Sequence, residues 1–129
     1  MNKIIVEVSV GELLDKISIL EIKQEKIKDP NKLKFIKDEY SILKDQLDTN
    51  VKSTSEINEL YKSLKEINSK LWVIEDDKRL CEKEKKFDEK FIKLSRDVHF
   101  LNDERARVKL EINTLMNSNI KEIKEYTDY

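Results

Sequence analysis

With a single glycine, Gly11, and a single proline, Pro30, in 129 residues, the chain lacks the vocabulary of tight turns. Glycine-rich phosphate loops of the P-loop or dinucleotide type are excluded, because they need several positions without a Cβ. The single cysteine, Cys81, permits no intrachain disulfide and fits a reducing compartment. No apolar run approaches the roughly 18 to 20 residues that span a bilayer, and Glu7 interrupts "MNKIIVEVSV" well short of a signal peptide. A cytoplasmic protein with no membrane insertion is expected. Net charge is also missing: 26 basic and 27 acidic residues are mixed along the chain, so no basic field exists to hold nucleic acid.

What is present is charge, at 41% of residues, and long stretches without breakers, which together predict long helices in one domain over 1–129. Residues 1–8, with the β-prone "IIVEV", read as an extended arm. Ser9 and Glu12 form a capping box that opens the first helix. Its apolar positions Leu13, Ile17, Leu20 and Ile27 end at "KDPNKL", where Pro30 disfavours helix at Asp29 and suits the first turn of the next helix. That helix carries Leu33, Ile36, Tyr40, Leu43 and Leu47. Facing residues of an antiparallel hairpin have numbers of constant sum. Leu13 with Leu47, Ile17 with Leu43, Leu20 with Tyr40, Gln24 with Ile36 and Ile27 with Leu33 all share one.

After a polar loop over 48–55, Ser53 and Glu56 offer a second capping box. Ile57, Leu60, Leu64, Ile67, Leu71, Ile74, Lys78 and Cys81 then repeat in heptads. Asp88 reads as an N-cap, followed by Phe91, Leu94, Val98, Leu101, Arg105, Val108, Ile112 and Leu115, which again pair at one sum with the preceding helix. The fold expected is all-α: two antiparallel helical hairpins, short (10–47) and long (54–117), packed as an elongated four-helix bundle, with a tail over 118–129. The short hairpin has a second apolar side, Ile19, Ile22, Phe35 and Ile42, which should dock on the less charged flank of the long one. An end of the long hairpin then overhangs.

The segment "LWVIEDDKRL" (71–80) holds the only tryptophan and three consecutive acids. With Leu71 and Ile74 in the seam, Asp76 points away from the partner helix and Asp77 lies on the charged flank. Glu75 shares a side with Trp72 and Arg79, four apart from Arg79 in the favourable order for a helix-surface pair. Ser95, His99 and Asn102 lie across the hairpin at similar height. The candidate cluster is therefore Trp72, Glu75, Arg79, Ser95, His99 and Asn102, either a ligand site or a polar network that fixes docking. All four arginines fall within 79–107, so Arg96, Arg105 and Arg107, with Asp103, are secondary candidates. Arg105 and Lys78 interrupt the seam, where a register role with the charge reaching water is the plain reading.

No metal site and no cofactor are expected. A carboxylate-bridged centre needs Glu-x-x-His on two helices, but the residue three before His99 is Arg96. The magnesium pattern of helical nucleotide pyrophosphohydrolases is half missing: Glu56 and Glu59 are present, while Glu75 is followed at that spacing by Lys78. Cys81 sits in the seam as a small buried hydrophobe rather than a nucleophile.

"VSVGELLDKISILEIK" (8–23), "LWVIEDDKRLCEKEKKFDEKFIKLSRDV" (71–98) and "NDERARVKLEIN" (102–113) together resemble a family of short bacterial helical proteins, found also as a domain of longer chains and catalogued as a domain of unknown function. The resemblance spans nearly the whole chain. It implies an accessory role beside glycosyltransferase-like or cell-surface polysaccharide proteins and assigns no catalytic residue. The function expected is a non-enzymatic interaction or accessory protein with a protein partner or a homodimeric state. The alternative is a small enzyme or ligand-binding protein acting on a nucleotide or sugar phosphate through the Trp72 cluster. "IIVEV" could also add as a strand to another chain.

Overall fold

The computed structural model describes residues 3–118 and 122–129. Four helices follow in order: α1 (Val10–Lys26), α2 (Pro30–Asn50), α3 (Ser55–Glu84) and α4 (Glu89–Leu115). They pack against one another as an all-α four-helix bundle, and no strand occurs among the described residues. Met1 and Asn2 of the arm, and Ile120 of the tail, lie outside the described residues.

Helix boundaries follow local chemistry. Ser9 caps α1, its hydroxyl accepting from the Glu12 amide at 3.1 Å. Pro30 occupies the first turn of α2 behind the N-cap Asp29, and Asp88 caps α4. The second capping box is displaced by one residue. Thr54 rather than Ser53 caps α3, its hydroxyl accepting from the Ile57 amide, while Ser53 bonds Asn58. That start sets Ile57 in the core.

With so little glycine, the left-handed helix ends fall on other residues. Lys85 has φ 56°, and the Lys86 and Lys85 amides donate to the Cys81 and Glu82 carbonyls, closing α3 as a Schellman turn. Asn117, at φ 52°, does the same for α4.

The long hairpin α3/α4 supplies most of the core: Ile57, Leu64, Ile67 and Leu71 meet Val108 and Ile112. Leu14 of α1 completes this cluster, with Leu47 packed at its edge. α1 buries Leu13, Leu14, Ile17, Leu20 and Ile22 because it touches all three other helices, and leaves Lys16, Glu25 and Lys26 in water. α2, by contrast, approaches α1 alone and buries only Ile36 fully. This corrects the docking expected of the short hairpin. Its α1 half, with Ile19 and Ile22, seats on the less charged flank of α3 and α4, whereas Phe35 and Ile42 of α2 remain exposed because α1 stands between them and the long hairpin.

Candidate functional site

The densest polar cluster lies where α1 meets α3 and α4, and it centres on Asp15. This carboxylate is 1% exposed. Its Oδ1 accepts from Asn68 Nδ2 and from Arg105 Nε, both at 2.9 Å, and Arg105 Nη2 donates to Oδ2. Asn68 spends its second amide hydrogen on Ser18 Oγ at 2.8 Å, and Ser18 in turn donates to the Asp15 carbonyl. One turn further along α4, Lys109 Nζ stands 3.7 Å from Asp15, donates to Glu12 at 2.7 Å and reaches Glu122 of the tail at 3.1 Å. Asn113, a turn further still, accepts from the Gly11 amide at 2.7 Å.

Burial pushes the Asp15 carboxyl up, but the hydrogen bonds from Arg105 and Asn68 and the charges of Arg105 and Lys109 outweigh it and hold the group below the usual carboxylate range. Arg105 is raised in turn, chiefly by its hydrogen bonds to Asp15. Among the described residues, no buried side-chain nitrogen or oxygen lacks a partner. Such satisfied networks fix which surfaces dock. A second junction supports this one: Glu21 of α1 accepts from Tyr40 of α2 at 3.2 Å and from Tyr61 of α3, with Lys65 at 3.7 Å. Burial first, then Glu21, raises the pKa of both phenols.

The structure divides the residues expected to cluster around Trp72. Trp72, Glu75 and Arg79 line a shallow groove of about 300 Å³ with Ile19 and Ile22 of α1, above Asn68, Leu71 and Arg105. Asp76 also lines it, since α1 occupies the side that the two-helix wheel left to solvent. Glu75 and Arg79 do not form the expected ion pair; within 4 Å, neither they nor Asp76 meet any opposite charge among the described residues. Asn102 joins from the far side, accepting from Arg105 Nη1 at 3.4 Å.

His99 belongs elsewhere. Its ring lies 4.4 Å from that of Phe100 and 5.3 Å from that of Tyr129, whose hydroxyl donates to Asp103. The tail thus folds back along α4. Ser95 is half-buried, Arg96 lies over the Phe100 ring at 5.8 Å, and Arg107 pairs with Glu111 at 3.1 Å, not with Asp103. Among the described residues, no three of His, Cys, Asp and Glu converge as metal ligands.

The sequence model of a family of unknown function (DUF6165) matches residues 4–128, which spans both hairpins and the Asp15 network. The chain belongs to this family. Comparison with curated proteins finds no match, and neither does comparison with solved structures. Membership says nothing of a reaction.

Arg105 was expected to break the seam with its charge reaching water; its guanidinium instead turns onto the buried Asp15 carboxylate. Asp15 sits inside "GELLDKIS", between the core residues Leu14 and Ile17, with Lys16 beside it turned to water. An acid flanked by the apolar positions Leu14 and Ile17 of α1, and an arginine in an otherwise mostly apolar seam of α4, are the signal that would have joined them.

Proposed function

We propose that the chain is a non-enzymatic interaction protein, cytoplasmic and accessory to a larger system, that offers the free end of its long hairpin to an apolar helix of another protein. The supporting observation is the state of that end. Every residue from Glu82 to Lys90 is exposed, and Leu80, Phe87 and Ile92 leave 48%, 53% and 56% of their surfaces in water. Phe87 stands edge-on to Phe91 at 5.2 Å, and Lys78 Nζ lies 5.9 Å from the Phe91 ring centre, so the end has a fixed aromatic shape. A small aromatic and aliphatic centre within a ring of mixed Lys and Glu is the composition of a binding hot spot with a polar rim. By contrast, the buried charged groups Asp15, Arg105 and Lys109 are committed to the joint between helices. The role fits the cell-surface polysaccharide or glycosyltransferase setting that the family resemblance implies, where an accessory chain assembles with others.

The test is to identify a captured chain by mass spectrometry, purify it, and measure its affinity for the wild type and for Phe87→Ser/Ile92→Ser. Affinity should fall at least tenfold at an unchanged melting temperature. Equal binding by both proteins contradicts the proposal.

A second reading rests on the groove. Arg79, Glu75 and Asp76, which meet no opposite charge among the described residues, line the groove with Trp72, a setting for a small ligand such as a nucleotide or sugar phosphate, stacked on Trp72 with its phosphate at Arg79. A thermal-shift screen decides it: a compound that stabilises the wild type and not Arg79→Ala supports the groove, and a shift indifferent to Arg79 removes it.

A further inference from the structure

Residues 3–8 leave the bundle as extended backbone, and among the described residues none of their amides or carbonyls is hydrogen-bonded. Ile4, Ile5 and Val6 are 86%, 82% and 70% exposed. An unpaired extended segment with this much apolar surface in water is a template for another strand. Alternation gives it two faces: Ile4, Val6 and Val8 on one, Lys3, Ile5 and Glu7 on the other.

We propose that two copies of the chain pair through these arms as an antiparallel ribbon centred on Ile5. In that register Lys3 of each copy faces Glu7 of the other, Ile4 faces Val6, and the two Ile5 side chains face each other. Both charge pairs and the cross-strand apolar pairs form together. A shift of two residues leaves Lys3 and Glu7 opposite uncharged side chains, a shift of one turns the apolar face over, and a parallel pairing sets Lys3 on Lys3 and Glu7 on Glu7. The segment is therefore complementary to itself in one register, which favours a second copy over an unrelated sheet edge.

The base of the arm is already anchored. Ser9 is buried, the Val10 amide donates to Ser118 Oγ at 3.2 Å, and the Gly11 amide donates to Asn113. Two-stranded ribbons are marginal alone. Between these anchors the last turn of α4 leaves Leu115 exposed, which gives the apolar face of the ribbon ground to close on. This contact is separate from the end of the long hairpin.

Light scattering on the full chain, with charge reversal, tests it. The wild type should run as a dimer. Lys3→Glu and Glu7→Lys should each run at half that mass, since each places like charges on both sides of the ribbon. The double variant Lys3→Glu/Glu7→Lys, or a mixture of the two single variants, should restore the dimer. All should keep the wild-type helical content, because the arm lies outside the core. A monomeric wild type overturns the proposal. So does a dimer that survives deletion of residues 3–8, which places the contact elsewhere, and so does a dimer lost on deletion but indifferent to charge reversal, which refutes the register.

Discussion

Arg105 and Asp15, on helices 90 positions apart in sequence, form a two-pronged ion pair at the point where α1 seats on the long hairpin. The carboxylate is almost wholly excluded from water, while the guanidinium keeps part of its edge at the groove that Trp72 borders. Docking in this bundle is thus set by a charge pair as well as by the apolar contacts of Leu14.

Removing one member leaves a buried charge without its counterpart. Arg105→Ala should cost about 3 to 5 kcal/mol in urea unfolding, and Arg107→Ala, whose pair with Glu111 is exposed, less than about 1 kcal/mol. Exchanging both members for apolar residues, as in Asp15→Leu/Arg105→Met, should recover much of the loss.

The same pair gives an acid limit. Asp15 is held below its ordinary pKa in the folded state, so its contribution is complete above about pH 4, where the unfolded chain also ionises it, and is lost as pH falls through the lower folded value. Glu122, lowered mainly by its hydrogen bond from Lys109, acts in the same direction. Melting temperatures should fall between pH 5 and 2, and more steeply for the wild type than for Asp15→Asn, which has no such proton to gain.

Gly11→Ala sets two effects against each other. Alanine favours the helix by about 1 kcal/mol. A Cβ at this position would stand 2.6 Å from the Lys109 carbonyl oxygen and 2.8 Å from Asn113 Oδ1, in contact with backbone that cannot swing aside. Overpacking costs about 1 to 3 kcal/mol, so net destabilisation by denaturant is expected, with loss of the Gly11 to Asn113 hydrogen bond.

Lys85→Gly should act the other way. A side chain in the left-handed region costs about 1 to 2 kcal/mol, partly offset by the greater freedom of glycine in the unfolded chain. A gain of roughly 0.5 to 1 kcal/mol is expected, read as a higher melting temperature with the hairpin intact.

Local signals carried much of the architecture. Ser9, Pro30 and Asp88 mark helix starts because caps act within one turn, and Leu64, Ile67, Val108 and Ile112 form the core because heptad spacing survives folding unchanged. What escaped depends on how pairs of helices meet. Two hairpin seams cannot show that α1 lies between α2 and the long hairpin, and so Phe35 and Ile42 were expected inside, and the groove that α1 makes beside Trp72 and Asp76 was not foreseen. The Trp72 cluster was half legible for the same reason. Trp72, Glu75 and Arg79 share a helix face, but His99 meets Tyr129 only because the tail folds back, a contact without helical period.

The most direct test of the account separates its inside from its outside: binding of the captured partner, measured by calorimetry on purified proteins, alongside melting of the same samples. Phe87→Ser/Ile92→Ser should lose affinity at least tenfold without melting earlier, and a variant weakened at the joint, such as Gly11→Ala, should melt earlier yet bind normally below its transition. Full affinity in Phe87→Ser/Ile92→Ser would contradict the account.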